Sequence, residues 1–424
     1  MYSREIAWVG AAQAAAFLGG LATVKTAAVN LGPSEYGKLS AALAIIGIAQ
    51  ICLYGPIAQT ATRFLSFAAA RNMLRSYEVS LVKLVFVATA IIGLLWALTF
   101  TLHLDSWLPL PAAALCVYIV VSGFQMVAVA VCNAGRKRKI VALVQVAEAV
   151  VRPTLIFFIL KLSVVTAYHA LLAYALSSFL LVILIASLWS SAALPLLDVP
   201  TSADRSITAG RLTFNMVAFA LPFVLFGLLG TVGSHGERLL LASWATWSEV
   251  GSYALMSQLV MAPNLLFTGV VNQFYFPLVF QHDPDGTGTI VRSFRVYLFL
   301  SVLGIVVITA TAATFGDFII PIFSSKLFLG HEHLLWFLGI SAGLFCIGQQ
   351  LVLPGLRMNK PEIYMPAKFI HSASLLAFSF FLLPRWGVDG MGVASLLASA
   401  AYVCAVLLAN TWLKRRTNLA VSSE

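Results

Sequence analysis

The sequence contains little charge. Only 10% of its 424 residues are Asp, Glu, Lys or Arg, whereas 60% are hydrophobic, and the mean hydropathy is +0.94. An ordinary soluble domain carries about a quarter charged residues, so 26 basic and 16 acidic side chains cannot cover a water-facing surface of this size. This composition excludes a soluble globular protein, and it leaves no room for a large extramembrane enzyme domain.

Motifs that carry catalytic or metal chemistry are also missing. The sequence has no GxxxxGK[ST] phosphate-binding loop, no Ser/His/Asp grouping and no paired carboxylates inside an apolar run. Its five cysteines form no CxxC spacing, and His331-Glu332-His333 lacks the i, i+4 spacing of a helical zinc site. We therefore predict no enzyme activity, no catalytic residue, no metal and no cofactor. Work done by this chain would draw on a proton or sodium gradient.

Long apolar runs are what the sequence does contain. A transmembrane helix needs about 20 apolar residues, and runs of that length bounded by charge, Pro or Gly recur along the whole chain. They predict an all-α polytopic membrane protein with about twelve transmembrane helices. The runs lie at 6–30, 37–69, 79–101, 108–132, 140–160, 166–190, 212–234, 250–280, 295–314, 332–353, 362–383 and 388–413.

The longest polar-leaning connection lies near the midpoint and divides the chain in two. We predict a six-helix bundle at 1–190, a cytoplasmic linker at 191–211 and a second six-helix bundle at 212–424. A parallel internal repeat supports this division, because Ser34-Glu35-Tyr36-Gly37 recurs as Ser248-Glu249-Val250-Gly251. Such a repeat favours a pathway in the cleft between the halves. Shared ancestry without a shared site remains the alternative.

The same repeat offset aligns further residues. It carries Gly55 onto Gly269 and Gln59 onto Gln273. The two apolar runs that contain these residues are longer than a bilayer is thick, and each contains Gly or Pro, which predicts kinked or tilted helices. Gly55, Pro56 and Gly269 are the predicted hinges.

The distribution of basic residues predicts the orientation. With the N-terminus inside, sixteen Lys or Arg residues fall on the cytoplasmic side and five on the opposite side. The positive-inside bias then places both termini in the cytoplasm. The net charge of +10 is thereby explained without a nucleic-acid partner, and the run Arg136-Lys137-Arg138-Lys139 serves first as a topology determinant, although it also resembles an anionic-lipid patch.

Charged residues inside apolar runs are costly and usually face a cavity or a partner. Lys83 lies near a helix end and should reach the interface, whereas Arg152 lies deep in the fifth run, with Glu148 four residues earlier on the same face. Either the two neutralise one another between packed helices, or Arg152 binds an anion and Glu148 couples that binding to an ion gradient. The remaining candidates for substrate binding in the spans are Lys25, Arg63 and Lys368.

The excess of cations over carboxylates in the spans predicts an anionic passenger, because Arg binds phosphate oxygens in a bidentate fork. Uncharged polar residues in the spans, Gln59 and Gln273 among them, could bind sugar hydroxyls. Singly, each is more typical of the polar contacts that hold helices together in a membrane.

Three short motifs resemble a known family, the polysaccharide (O-antigen type) flippases of the multidrug/oligosaccharidyl-lipid/polysaccharide exporter superfamily. The likeness spans essentially the whole chain. It is carried by Leu31-Gly32-Pro33-Ser34-Glu35-Tyr36-Gly37, by Glu237-Arg238-Leu239-Leu240 followed by Val250-Gly251-Ser252-Tyr253, and by Gly387-Val388-Asp389-Gly390-Met391-Gly392-Val393-Ala394.

The resemblance implies a flippase that moves an undecaprenyl-pyrophosphate-linked oligosaccharide across the bacterial inner membrane by alternating access. Cavity cations in such families contact the pyrophosphate and sugar, a role that only Lys25, Arg63, Arg152 and Lys368 could take here. Implied partners are membrane lipids and the polysaccharide polymerase and glycosyltransferases of the same pathway. The rival hypotheses are a multidrug or organic-cation antiporter of the same fold and a membrane glycan polymerase or ligase.

Overall fold

The computed structural model describes residues 2–191, 209–279, 289–358 and 361–421, and these ranges are helical with short connections and contain no strand. Most of the predicted linker, 192–208, lies outside the described residues. The helices are α1 (Tyr2–Ala49), α2 (Gly55–Ala70), α3 (Leu74–Thr101), α4 (Ala112–Ala134), α5 (Arg138–Leu162), α6 (Ala167–Ser191), α7 (Ala209–Trp244), α8 (Trp247–Val279), α9 (Thr289–Thr314), α10 (Gly316–Phe323), α11 (Leu334–Leu351), α12 (Leu353–Arg357) and α13 (Met365–Val421).

Ten ranges of the described chain are long and apolar enough to cross a membrane, and two of these ranges each hold two spans. Ala12–Ala70 is broken at Gly32, which has φ 70° and ψ 174° and precedes Pro33. Glu362–Leu413 is broken at Gly387, with φ 54° and ψ −129°. Only glycine adopts these dihedrals readily. Counted this way, the ten ranges confirm the twelve predicted spans, and the chain is a multi-pass membrane protein.

A π-helical segment, Gln50–Tyr54, interrupts the second span directly before Gly55 and Pro56. The backbone N–H of Gly55 donates to the carbonyl of Gln50, so the ring closes over five residues instead of four. The kink predicted at Gly55 and Pro56 thus coincides with a π-bulge, one of the recognised causes of helix bending. In the second half, α8 remains helical through Gly269.

The described chain forms two compact units, Met1–Thr231 and Val232–Glu424, which we call unit 1 and unit 2. In unit 1, α1 packs along α5 and α6 packs against α4 and α5. Gly19 lies directly against Ala149, where any side chain on Gly19 would overlap the α5 backbone. Small residues allow the two backbones to approach closely. In lipid the hydrophobic effect does not drive helices together, so they associate through such close van der Waals packing. This contact fixes α5 beside α1.

In unit 2, α11 packs against α13, α9 and α8. Gly343 accommodates Ile305, and Gly348 accommodates the ring of Tyr402. Tyr402 is fully buried, and its ring centroid lies 5.6 Å from that of Phe345 in a tilted contact and 5.6 Å from that of His371 in an edge-on contact. Glycines on α11 therefore allow large side chains of the neighbouring helices to enter the core.

The recurring Ser-Glu motif caps helix N-termini in both units. Glu35 accepts the backbone N–H of Ala167, the first residue of α6, at 2.8 Å and also pairs with Lys38 at 2.6 Å. Glu249 accepts the backbone N–H of Thr246 at 2.8 Å, and the Thr246 hydroxyl donates to the same carboxylate at 2.7 Å. The first backbone N–H groups of a helix have no carbonyl partner within the helix. A carboxylate at the helix N-terminus accepts hydrogen bonds from them. The motif thus has a structural role.

The closing glycine-rich motif also has a structural role. Its Asp389 bonds to His333 at 2.6 Å between Oδ1 and Nε2, and both side chains are about half exposed at 49%. This bond joins the start of α11 to α13. The His331-Glu332-His333 sequence is therefore a connection held by a partner outside the motif.

Candidate functional site

Arg152 and Glu148 form an ion pair in the middle of α5. The Arg152 Nη2 and Glu148 Oε1 atoms lie 2.5 Å apart, one turn along the helix, as the sequence spacing predicted. The other carboxylate oxygen of Glu148 accepts the side-chain amide N–H of Gln125, on α4, at 3.1 Å. Both members of the pair are mostly buried, with side chains 20% and 28% exposed. The carboxylate is therefore held from two helices, and it orients the guanidinium.

Aromatic rings complete the surroundings of Arg152. Its guanidinium carbon lies 5.1 Å from the centre of the Tyr174 ring, on α6, within cation–π distance. The edge of that ring meets Tyr118, on α4, at 5.9 Å between centroids. The Arg152 Nε atom is buried, and no hydrogen-bond acceptor reaches it within the described chain. A buried donor without an acceptor is costly, so this site favours an additional oxygen ligand on Arg152.

A second buried carboxylate, Glu237, was not predicted. The sequence placed the end of the seventh span at residue 234, but α7 continues to Trp244 and carries Glu237 into unit 2. Its Oε1 accepts the Ser395 hydroxyl at 2.6 Å, and its Oε2 accepts the Tyr253 hydroxyl at 2.5 Å. The predicted apolar run ended at the polar stretch around Glu237. The apolar residues Leu239-Leu240-Leu241 that follow this stretch indicated that the helix continues.

Hydroxyl groups extend from Glu237 into unit 2. The Ser395 oxygen lies 2.9 Å from that of Ser341, which lies 3.0 Å from that of Ser399. A cavity of about 40 Å³ adjoins Glu237, these serines and His371. A cavity of that size with several polar partners can hold a water molecule. Unit 2 therefore contains a buried carboxylate with a serine chain and room for a small polar ligand.

The other predicted binding residues described in unit 1 are exposed. Lys25 lies on an exposed stripe of α1, and Gln59 and Arg63 are exposed one turn apart on α2. The Arg63 guanidinium carbon lies 4.5 Å from the centre of the Phe219 ring. Lys368 is half-buried on α13 in unit 2. The side chain of Gln273 lies outside the described part of the structure.

The described residues offer little for metal binding. Within the described ranges, no group of three or more His, Cys, Asp or Glu side chains lies close enough to hold an ion. The five cysteines are free thiols. The chemistry of the described part of the chain is therefore that of ion pairs, hydroxyls and aromatic rings.

Comparison with protein families decides which family this is. A family model described as polysaccharide biosynthesis protein matches residues 3–282, well over half of the chain. The chain belongs to this polysaccharide biosynthesis protein family. No curated protein sequence matches it.

Solved structures with the same fold are transporters. An inward-facing multidrug resistance MATE family transporter of the MOP superfamily has a TM-score of 0.70 and 12% identity, covering 95% of this chain and 96% of its own. The lipid II flippase MurJ, in an inward closed conformation, has a TM-score of 0.71 and 13% identity, covering 96% and 87%. A variant of the Vibrio cholerae MATE transporter VcmN has a TM-score of 0.61 and 15% identity, covering 98% of both chains. The chain thus shares the fold of these three proteins.

Proposed function

We propose that this protein is a flippase that moves an undecaprenyl-pyrophosphate-linked oligosaccharide across the bacterial inner membrane by alternating access. The observation that carries the proposal is the deeply placed Arg152, which keeps an unpartnered N–H beside a carboxylate and a tyrosine ring. Membership of the polysaccharide biosynthesis family supports a glycan-linked substrate, and the MurJ-like fold supports a lipid carrier. The protein would act as a transporter without chemical conversion of its substrate.

Arg152 lies deep within α5. It lies fourteen residues after Arg138, the first residue of α5, which is about 21 Å along the axis at 1.5 Å per residue. A cation at that depth is stabilised only by a partner or a cavity. Because Glu148 pairs with the guanidinium, an incoming anion would compete with that carboxylate.

Pyrophosphate suits this exchange. Arg binds phosphate oxygens through two parallel N–H bonds, and the free Nε–H of Arg152 with one Nη forms such a fork. The Tyr174 ring lies within cation–π distance of the same guanidinium. Arg63 and Lys25 on unit 1 and Lys368 on unit 2 are the further cations proposed to bind substrate, with Gln59 and Gln273 proposed for sugar hydroxyls.

Glu148 is the proposed coupling group. When it is ionised it binds Arg152, and when it takes up a proton it loses most of that attraction and frees Arg152 for the substrate anion. Glu237 and its serine chain supply a second buried carboxylate in unit 2. A proton or sodium gradient would act on these two groups, with Gly55, Pro56 and Gly269 as the hinges between conformations.

The decisive experiment measures the sidedness of lipid-linked oligosaccharide in spheroplasts depleted of the protein, with a lectin or enzyme that reaches only the outer face. We expect the oligosaccharide to accumulate on the cytoplasmic leaflet, and re-expression of the protein should restore outer labelling. Outer labelling that stays normal while unpolymerised units accumulate would instead indicate a glycan polymerase or ligase.

Variants of Arg152 test the site itself. Arg152→Ala should abolish outer labelling, because both N–H groups of the fork are lost, and Arg152→Lys should restore it only in part, since Lys is a single-point donor. Lys161→Gln is the matched control, because Lys161 is exposed at the end of the same helix. Normal labelling with a stable Arg152→Ala protein would contradict the anion-binding role.

An antiporter for organic cations is the second candidate, favoured by the MATE-like fold and by the buried carboxylates Glu148 and Glu237. It predicts that depletion sensitises cells to cationic drugs and leaves glycolipid sidedness unchanged. Efflux of a fluorescent cation from loaded cells measures it directly.

A further inference from the structure

Unit 1 contains an apolar groove between α3, α4 and α6, with a volume of about 560 Å³. Of its thirteen lining side chains, only Thr89 and Trp189 have a polar atom. The Thr89 hydroxyl donates to the carbonyl of Val85 at 2.9 Å and lies 3.2 Å from the Tyr54 hydroxyl. The groove therefore presents an almost entirely hydrocarbon surface.

The groove lies nearer one end of unit 1. Its lining residues lie at 81–89 in the middle of α3, at 124–131 in the second half of α4 and at 182–189 in the last turns of α6, nearer the end where α3 begins and α4 and α6 finish. From residue 81 to residue 89, α3 rises about 12 Å along its axis, whereas the hydrocarbon core of a bilayer is about 30 Å thick. The groove thus extends through less than half of the core, which is the depth of one leaflet.

Basic connections lie at this same end. Ile140, the residue after the basic run, packs in one cluster with Leu181 and Ile185 of α6, and Trp189 packs against that cluster. The helix end that carries the run is thus in contact with the groove wall. Glu78 is the one acidic residue between positions 71 and 83. The basic residues of the two connections and their flanks are Arg71, Arg75, Lys83, Arg136, Lys137, Arg138 and Lys139.

We propose that unit 1 binds an anionic phospholipid of the surrounding bilayer, with one acyl chain in the groove and the headgroup phosphate at the basic run 136–139. An acyl chain matches the depth of the groove, and a net negative headgroup complements the cluster of cations beside it. Arg136, Arg138 and Lys139 are exposed, so a headgroup can reach them. This site stands independently of the transport proposal, because it uses none of the residues assigned to the substrate.

Native mass spectrometry of the purified full chain tests the site, with titration of phosphatidylglycerol and of phosphatidylcholine that carry the same acyl chains. Wild-type protein should retain phosphatidylglycerol in preference to phosphatidylcholine. Arg138→Gln combined with Lys139→Gln should weaken phosphatidylglycerol binding about 10- to 30-fold, as expected for the loss of two surface cations. Lys161→Gln, at the opposite end of α5, is the charge control and should have no effect.

A second pair of variants tests the acyl-chain part. Ala186 is exposed and lines the groove, so Ala186→Phe places a ring in the groove without entering the core and should reduce binding of phosphatidylglycerol. Ala97→Phe, on an exposed part of α3 outside the groove, is its control. Ala186→Leu replaces the Phe variant if the melting temperature of the latter shows that it does not fold.

Three outcomes would overturn the proposal. Equal retention of phosphatidylglycerol and phosphatidylcholine would show that the protein does not select an anionic headgroup. An equal loss of phosphatidylglycerol binding in Ala186→Phe and in its control Ala97→Phe would show that the acyl chain does not bind in the groove. The third outcome is that an equal concentration of polyprenyl phosphate displaces phosphatidylglycerol and that Ala186→Phe prevents polyprenyl phosphate from binding. The groove would then hold the substrate carrier instead of a bilayer lipid.

Discussion

The charged side chains of Arg152 and Glu148 stabilise one another within α5. Removing one partner leaves a mostly buried charge, whereas removing both leaves a neutral site. The side chains are 20% and 28% exposed, so the pair lies between the exposed and the fully buried extremes. The energetic consequence is cooperativity between the two residues, which a double-mutant cycle measures.

We expect Arg152→Gln and Glu148→Gln to destabilise the protein singly, and the double variant to be less destabilised than the sum of the two. The coupling energy should be about 1–3 kcal/mol, between the values for exposed and buried ion pairs. The measurement is the free energy of unfolding in detergent for all four proteins. Additive effects would show that the pair contributes no coupling.

Gly123 on α4 is a second position where one residue decides packing. A Cβ atom there would lie 2.5 Å from two ring carbons of Tyr54, which is fully buried at the end of the π-helical segment. Gly123→Val should therefore destabilise the protein by about 1–3 kcal/mol, as overpacking does, with a lower melting temperature. Gly93→Val is the control, because no described heavy atom lies within 4 Å of a Cβ at Gly93; equal melting temperatures for the two variants would contradict the prediction.

Sequence reasoning found part of the Arg152 site. The i, i+4 spacing predicted the contact with Glu148, which local helix geometry dictates. Gln125 and Tyr174 come from other helices, and no local spacing identifies them. Glu237 was missed because hydropathy ended the span too early, although the helix continues through polar residues that find partners inside unit 2.

At the scale of helices, two glycines set the breaks between consecutive spans. Gly32→Ala and Gly387→Ala should each destabilise the protein by about 1–3 kcal/mol, because their dihedrals are strained for any side chain. Gly20→Ala, within α1 and free of described neighbours within 4 Å, should be neutral or slightly stabilising. Melting temperatures of the three variants check this; a neutral Gly387→Ala would show that the α13 backbone can relax.

The N-terminus of α8 offers a test of capping. Thr246 and Glu249 bond reciprocally, since the Glu249 backbone N–H also donates to the Thr246 hydroxyl at 3.4 Å. Either Thr246→Ala or Glu249→Ala should cost about 0.5–2 kcal/mol, and the double variant little more than either alone. Ser248→Ala is the exposed control in the same turn. A double variant whose unfolding midpoint falls by the sum of the two single effects would show that Thr246 and Glu249 do not form one capping interaction.

Helix positions were predicted better than helix ends. Apolar runs located all twelve spans because the bilayer imposes their length. The spans at Gly32 and Gly387 join into continuous helical ranges because glycine allows a sharp turn within one residue. The π-helical segment is a departure from 3.6-residue periodicity, and the sequence showed only the Gly-Pro pair that follows it.

For the whole molecule, the orientation remains a prediction that labelling can check. In a cysteine-free background, Arg75→Cys and Lys139→Cys should react with a membrane-impermeant thiol reagent only from the cytoplasmic side. Lys161→Cys and Lys326→Cys should react only from the opposite side, because all four residues are exposed at span ends. Reaction of Lys139→Cys and Lys161→Cys from the same side would show that α5 does not span the membrane.

The fold class followed from composition together with apolar runs of about 20 residues, which is the length that a membrane helix requires. The internal repeat stays a prediction. The division into compact units falls between Thr231 and Val232, within α7, and the predicted bundles at 1–190 and 212–424 stay a prediction as well. Hydropathy reports where water is excluded, and it does not report which helix packs against which.

The π-helical segment changes how the two halves should be aligned. Its ring closes over one residue more than an α-helical turn, so under the predicted repeat one residue of the first half has no counterpart in the continuous α8. An ungapped alignment pairs Gln59 with Gln273, but a one-residue gap at 50–54 pairs Gln59 with Asn272, whose Oδ1 accepts the Tyr297 hydroxyl at 2.5 Å. Under the predicted repeat, equivalent positions therefore shift by one residue after this segment, and an alignment of the two halves needs that gap.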